Sequence, residues 1–357
     1  MHARHRIASI AAVSVLAILA ASAGAQRGAP AHSQADVTAR IVAAAQGVLT
    51  ALDDSRRAKV QFPFDSPQKT NWSNLPSPMF QRNGLRLADL TAAQRGAVMT
   101  LLSVALSRDG YRKVIDIMRG DEVLRTTQSS GGAGRGGGRG PGGTGGPAFG
   151  ENEYYLAFLG TPSTTAPWRL QFGGHHLAIN LTLAGSQATM APSLPAAQPA
   201  SYAFEGRTVR PLGSENDKAF ALINALDAGQ RGQAILNYRV ADLVLGPGRD
   251  GRAIEPEGIR ASALAAAQQQ ALLDLVREWA GIINDAFAEP RMAEIKANLP
   301  NTYFAWSGPT TNGSAAYFRV QAPTLVVEYA PQQGSVDHIH TIYRDPTNDY
   351  GAKFTAK

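Results

Sequence analysis

Of the seven histidines in this 357-residue chain, four stand in two tight clusters, His175-His176 and His338-Ile339-His340. Residues two apart on a β-strand project from the same face, so His338 and His340 can approach one metal ion, with a third ligand brought from elsewhere. The adjacent pair points to opposite faces, so the local register selects one of the two. If Gly173-Gly174 form the centre of a tight turn, Phe172 faces His175 and Gln171 faces His176. Trp168, Leu170, Phe172, Leu177, Ile179 and Leu181 then make an apolar side, and Arg169, Gln171, His176, Asn180 and Thr182 a polar one. This register makes His176 the ligand and leaves His175 at the rim of the apolar face; a one-residue slip exchanges them.

Three histidines around an ion with an open position polarise a substrate oxygen, or lower the pKa of a bound water toward about 7, which is hydrolytic chemistry; with copper or iron the same ligands support redox chemistry. The expected cofactor is therefore a divalent transition metal, zinc, copper or iron, among which imidazole does not choose. Glu328 and Asp337, near the second cluster, are the candidate general bases. Arg169, Gln171, Asn180, Arg344 and Asp349 are candidates for a substrate pocket. The same residues admit a second class of function, a non-enzymatic binding protein whose histidines touch the ligand directly, and a third in which the histidines only tie strand ends.

Composition narrows the field. With no cysteine, disulfide frameworks, cysteine-ligated zinc and thiol nucleophiles are excluded. The chain has neither a dinucleotide glycine fingerprint nor a Walker lysine. Its net charge of +6 is modest for the length. Residues 129–150 are so rich in glycine that they cannot bury enough apolar area to offset their backbone entropy, and they are expected to form a disordered loop. Two arginines in that loop do not make a nucleic-acid site, and no nucleic-acid partner is expected.

At the N-terminus Arg4 and Arg6 precede an uncharged run from Ile7 to Ala21 and then Ala23-Gly24-Ala25, the arrangement of a cleaved export signal over residues 1–25. The expected location is periplasmic or extracellular, with no stable membrane anchor once the signal is removed. Residues 26–40 are expected to be a disordered start to the mature chain, 41–128 a helical part, and 151–357 a mixed part sharing one domain with it.

The elements that must carry the histidines are legible as patterns. Leu90-Thr91-Ala92-Ala93-Gln94 and Leu226-Asp227-Ala228-Gly229-Gln230 read as capping boxes, in which the Thr or Asp side chain accepts a backbone N–H and the glutamine reaches back. Leu264-Ala265-Ala266-Ala267-Gln268 shares the spacing but lacks the capping oxygen, so its likeness does not by itself exceed chance. Behind it Leu272, Leu275, Val276, Trp279, Ile282 and Ile283 recur at helical spacing. Strand patterns occupy 154–159, 168–172, 175–183, 303–307, 316–321, 324–329 and 338–344, mostly joined by few residues. The expected class is α+β, an antiparallel sheet built from hairpins and packed with several amphipathic helices.

Several motifs in order resemble one family. Phe62-Pro63-Phe64-Asp65, Asn71-Trp72-Ser73-Asn74, Arg82-Asn83-Gly84-Leu85, the run from Trp168 to Asn180 and the run from His338 to Gly351 are similar to the domain of unknown function 3500 family. The resemblance spans about Ile41 to the C-terminus. It implies an uncharacterised, often exported family with both histidine motifs among its signatures, and it supplies no activity. Within the second of these motifs, Trp72 between asparagines has two readings: an indole platform lining a binding cleft, or an aromatic pinning an irregular loop to the core.

Overall fold

The helices start where side chains can satisfy their free N–H groups. In the computed structural model, which describes residues 32–130 and 146–355, Ser33 accepts from Asp36 N at 3.1 Å and opens α1 (Gln34–Thr50). Gln34–Arg40 is thus helix rather than the disordered start expected of it, because the Ser33–Asp36 box caps it and Val37 and Ile41 bury against the core. Residues 1–31 and 131–145, which carry the export signal and most of the glycine-rich loop, lie outside the described residues. Asp53 caps α2 (Asp54–Val60), Thr91 caps α3 (Ala92–Ala105), and Ser107 Oγ receives Gly110 N in the first turn of α4 (Arg108–Ser130). In the second half Asp227 caps α6 (Ala228–Ala234), after α5 (Gly213–Ala225), and α7 (Ala266–Ala280) and α8 (Asp285–Ala297) follow.

The strands are β1 (Gln61–Phe62), β2 (Leu85–Arg86), β3 (Tyr155–Leu159), β4 (Trp168–Gly174), β5 (Leu177–Ala184), β6 (Gln187–Thr189), β7 (Ser193–Pro195), β8 (Tyr202–Phe204), β9 (Arg207–Val209), β10 (Ile259–Arg260), β11 (Tyr303–Ser307), β12 (Tyr317–Ala322), β13 (Leu325–Pro331) and β14 (Ile339–Arg344). Among the described residues β8 and β9 form a separate hairpin and the other twelve make one sheet, in the order β1-β3-β4-β5-β7-β14-β13-β12-β11-β10, with β2 on β3 and β6 on β5. All its pairs are antiparallel except β1 with β3. The class is α+β, as the patterning implies.

With β2 taken in the place of β1, this order reads the same from either end, and the two halves repeat each other. A constant offset of 174 residues separates Asp53 from Asp227, Gly84 from Gly258 and Gln94 from Gln268. Each pair does the same work. Gln94 Nε2 donates to Ala51 O at 2.9 Å and Gln268 Nε2 to Ala225 O at 2.8 Å. A Cβ on Gly84 would collide with Leu156 O, and one on Gly258 with Phe304 O. The halves meet about a pseudo-twofold relation: Ser193 of β7 pairs Tyr343 of β14, and at the helix junctions Asn284 N donates to Ala105 O while Ser107 N donates to Ile282 O. The Leu264 motif is therefore the counterpart of the Leu90 motif. The Leu226 motif, which looks closer to it in letters, is the counterpart of Leu52-Asp53.

Each half has its own core on the helix side of the sheet. Trp168, Leu170 and Phe172 pack with α1, α3 and α4, and Phe304, Trp306 and Phe318 pack with α5 and α7. The opposite face is polar and is covered by two long irregular loops, 63–84 and 237–258, whose backbone groups need partners. Strand side chains supply them. Arg169 Nη1 donates to Phe64 O at 2.9 Å, Gln171 Nε2 to Gln68 O at 3.3 Å, Gln321 Nε2 to Ile254 O at 2.6 Å and Arg344 Nε to Leu245 O at 2.8 Å. The described residues, 32–130 and 146–355, cluster as one compact unit. No helix among the described residues is long and apolar enough to cross a membrane.

Candidate metal centre

The β4–β5 turn differs from the sequence expectation, and the difference decides which histidine faces where. Gly174 pairs with Leu177, so the two central residues are His175 and His176, not Gly173 and Gly174. The glycines lie within the strand because a Cβ on Gly173 would strike Leu177 O and one on Gly174 would come 2.8 Å from Tyr154 Cδ1. Phe172 accordingly faces Ile179 and Gln171 faces Asn180. The pairing shifts by an even number of residues, so the apolar and polar sides keep their members.

His176 holds φ at +61° although it has a side chain, and only 2% of it is exposed. Such a left-handed, buried, non-glycine residue costs of order 1–3 kcal/mol and persists only where its surroundings enforce it. Here they do: His176 N donates to Asn74 O at 3.1 Å and His176 O accepts from Ala196 N at 2.8 Å. The strained turn aims the ring at the start of β14. His176 Nε2 lies 2.9 Å from His338 Nε2, and His338 Nε2 lies 3.1 Å from His340 Nε2. One nitrogen from each of the three rings lies within 4.8 Å of the others, a group able to hold a metal ion.

The His176–His338 and His338–His340 spacings fit a shared ion. Two nitrogens at about 2.0–2.1 Å from zinc and 2.9–3.1 Å from each other subtend roughly 90–100°, between octahedral and tetrahedral values. The protonation states fit as well. Burial pushes the His176 pKa well below 6.5, and the neighbouring His175, His340 and His338 push it further; burial, then His340 and His175, take His338 down to about 4. Both are neutral at pH 7 and present lone pairs. For His340 the selection is made by Asp242, whose Oδ1 lies 2.8 Å from Nδ1, so Nδ1 carries the proton and Nε2 the lone pair. Burial raises the Asp242 pKa, but the hydrogen bond and charge of His340 outweigh it and hold the carboxyl below 3.8.

The remaining sequence candidates lie elsewhere. His175 is not at the centre: its Nδ1 lies 2.5 Å from buried Asp121 Oδ1, its carbonyl accepts from Tyr154 O–H, and its ring stacks on His176 at 3.6 Å between centroids. Glu328, a candidate base, is fully buried and accepts from Val244 N, Leu245 N and Tyr317 O–H, so it anchors the 237–258 loop. Asp337, the other, accepts from Ala200 N at 2.9 Å. Neither is hydrogen-bonded to the three rings. Arg169, Gln171, Asn180, Arg344 and Asp349 do not form an open pocket with the histidines. Arg169, Gln171 and Arg344 hold the covering loops; Asn180 bonds Gln171 and Pro192 O; Asp349 pairs with Arg344 at 2.8 Å. Trp72 pins its loop: it is 5% exposed and donates through Nε1 to Tyr350 O–H at 2.8 Å.

Two residues at the centre escape the sequence reading. Asn74 closes the Asn71-Trp72-Ser73-Asn74 motif and places Nδ2 3.1 Å from His340 Nε2. Asp242 lies in an irregular stretch with no motif around it, so nothing in the sequence singles it out. No curated protein and no solved structure matches the chain. A family model does, over residues 34–352, which takes in both histidine motifs, the strained turn and Asn74. The chain belongs to the family described as Protein of unknown function (DUF3500).

Proposed function

We propose that this is an exported metalloprotein that holds one divalent transition ion on His176, His338 and His340 and uses the open side of that ion to activate water for hydrolysis. The observation that carries the reading is the convergence of the three Nε2 atoms, at 2.9 and 3.1 Å, from segments about 160 residues apart in the chain. Three imidazoles at such distances, two of them with pKa values depressed by burial, repel protons and leave lone pairs aimed at one point, which a cation satisfies.

His338 is the partly exposed member of the three, so the ion meets solvent and substrate on its side. Export is supported by the basic, apolar and Ala-Gly-Ala sequence of residues 4–25.

The test is elemental analysis of protein purified without a histidine tag, beside His338→Ala/His340→Ala. One ion per chain in the wild type, lost in the variant with the fold intact, supports the reading and identifies the metal. A wild type that takes up no zinc, copper or iron, and folds fully, sinks it and favours direct ligand contacts by the histidines.

A further inference from the structure

Asn74 touches two of the three proposed ligands by different groups. Its carbonyl accepts from His176 N at 3.1 Å, and its Nδ2 lies 3.1 Å from His340 Nε2. Hydrogen accounting shows what an ion does to this arrangement. Because Asp242 accepts a hydrogen bond from the Nδ1–H of His340, the His340 Nε2 is a bare lone pair, and the Asn74 amide donates to it. A cation claims that lone pair and leaves an N–H facing positive charge. A half-turn of the amide about Cβ–Cγ puts Oδ1 in the place of Nδ2 without changing the shape of the side chain.

We propose that Asn74 is the fourth protein donor of the centre, ligating through Oδ1, which rests on the metal reading above and makes the donor set three imidazole nitrogens and one amide oxygen. The internal repeat is consistent with this. Counted from the paired strands, Thr324 occupies the place of His176, and Thr189, opposite Thr182 as His340 is opposite Ala330, occupies that of His340; at the 174-residue offset of the loops, Gly248 is the sequence counterpart of Asn74. The amide is present at the one of the two pseudo-twofold-related places where the histidines stand and absent from the other, where threonines replace His176 and His340.

With four protein donors, a five- or six-coordinate ion keeps one or two positions for water and substrate, whereas a strictly tetrahedral ion keeps none. The fourth donor also links the ion to the 63–84 loop, so that loop, the β4–β5 turn and β14 are all held by one atom.

The experiment compares wild type, Asn74→Ala, Asn74→Asp and His338→Ala, each loaded with Co²⁺ and titrated against a chromophoric chelator, with the visible Co²⁺ absorption recorded. We expect Asn74→Ala to keep one ion per chain, to bind it about 10- to 100-fold more weakly, and to shift the Co²⁺ bands because an oxygen donor is gone. Asn74→Asp, of the same shape, keeps or tightens binding. A purely positional role for Asn74 weakens binding with unchanged bands, and that result overturns the proposal, as does wild-type affinity in Asn74→Ala. Loss of Co²⁺ in His338→Ala alone, with Asn74→Ala like the wild type, upholds the metal reading and rejects Asn74 as a ligand. A wild type that binds no Co²⁺ rejects both.

Discussion

His340 Nδ1 and Asp242 Oδ1 lie 2.8 Å apart, and this one contact sets the tautomer of a proposed ligand from outside the ligand set. With the carboxylate gone, the His340 proton is free to sit on Nε2, where it blocks coordination. We expect Asp242→Ala to weaken metal binding by about 10- to 100-fold, and Asp242→Asn, whose Oδ1 still accepts, to weaken it less. A chelator competition titration measures both. Because Asp242 is partly exposed and belongs to a loop, thermal unfolding of the metal-free variants should change little. Equal affinity in all three proteins removes Asp242 from the site.

The left-handed backbone at His176 can be separated from its ligand role by choice of substitution. Both His176→Gly and His176→Ala remove the imidazole and lose the ion. Glycine accepts φ = +61° freely and alanine does not, so in metal-free protein the glycine variant should be more stable than the alanine variant by about 1 kcal/mol. Urea unfolding decides it. Equal stabilities mean that the turn relaxes and that the strain is not enforced.

The internal repeat makes a paired expectation. Gly84→Ala and Gly258→Ala each push a Cβ into a carbonyl oxygen at a positive φ, of Leu156 and Phe304 respectively, and each should cost about 2 kcal/mol or more. Gly248→Ala, at φ = +75° with nothing within 4 Å, carries only the backbone penalty, about 1 kcal/mol. If Gly248→Ala is the most damaging of the three in urea unfolding, the close approaches do not govern these sites.

Glu278 carries a pH dependence whose sign follows from its neighbours. Burial pushes its carboxyl up, but Lys113 at 3.2 Å and Lys218 at 2.6 Å outweigh burial and hold it below 4.5. A depressed folded pKa stabilises the fold above the unfolded value, and that contribution disappears as the pH falls through the folded value. The wild type should therefore exceed Glu278→Gln in stability at pH 6, and the gap should close as the pH drops below 4.5. Urea unfolding of both proteins between pH 3 and 7 measures it; a gap that does not vary with pH would falsify the assignment.

What the sequence determined by itself is local. Thr91 with Gln94 and Asp227 with Gln230 specify helix starts because capping needs atoms only three residues apart, and the alternation from Trp168 to Phe172 specifies a strand with one buried face because side chains there alternate. His338 and His340 share a face for the same reason. Tertiary structure decided everything that depends on contacts between distant segments. Gly173-Gly174 reads as a turn in isolation, but Tyr154, brought in by β3, occupies the space of a Cβ at Gly174, so the glycines belong to the strand and the histidines to the turn. Arg169, Gln171 and Arg344 read as pocket residues, and Glu328 as a base, because a polar strand face is normally wet, whereas here two loops lie over it and take up their hydrogen bonds. Asp242 gave no local signal at all. Its role exists only because a loop from the second half crosses β14, and no spacing along the chain encodes a contact between residues 98 positions apart.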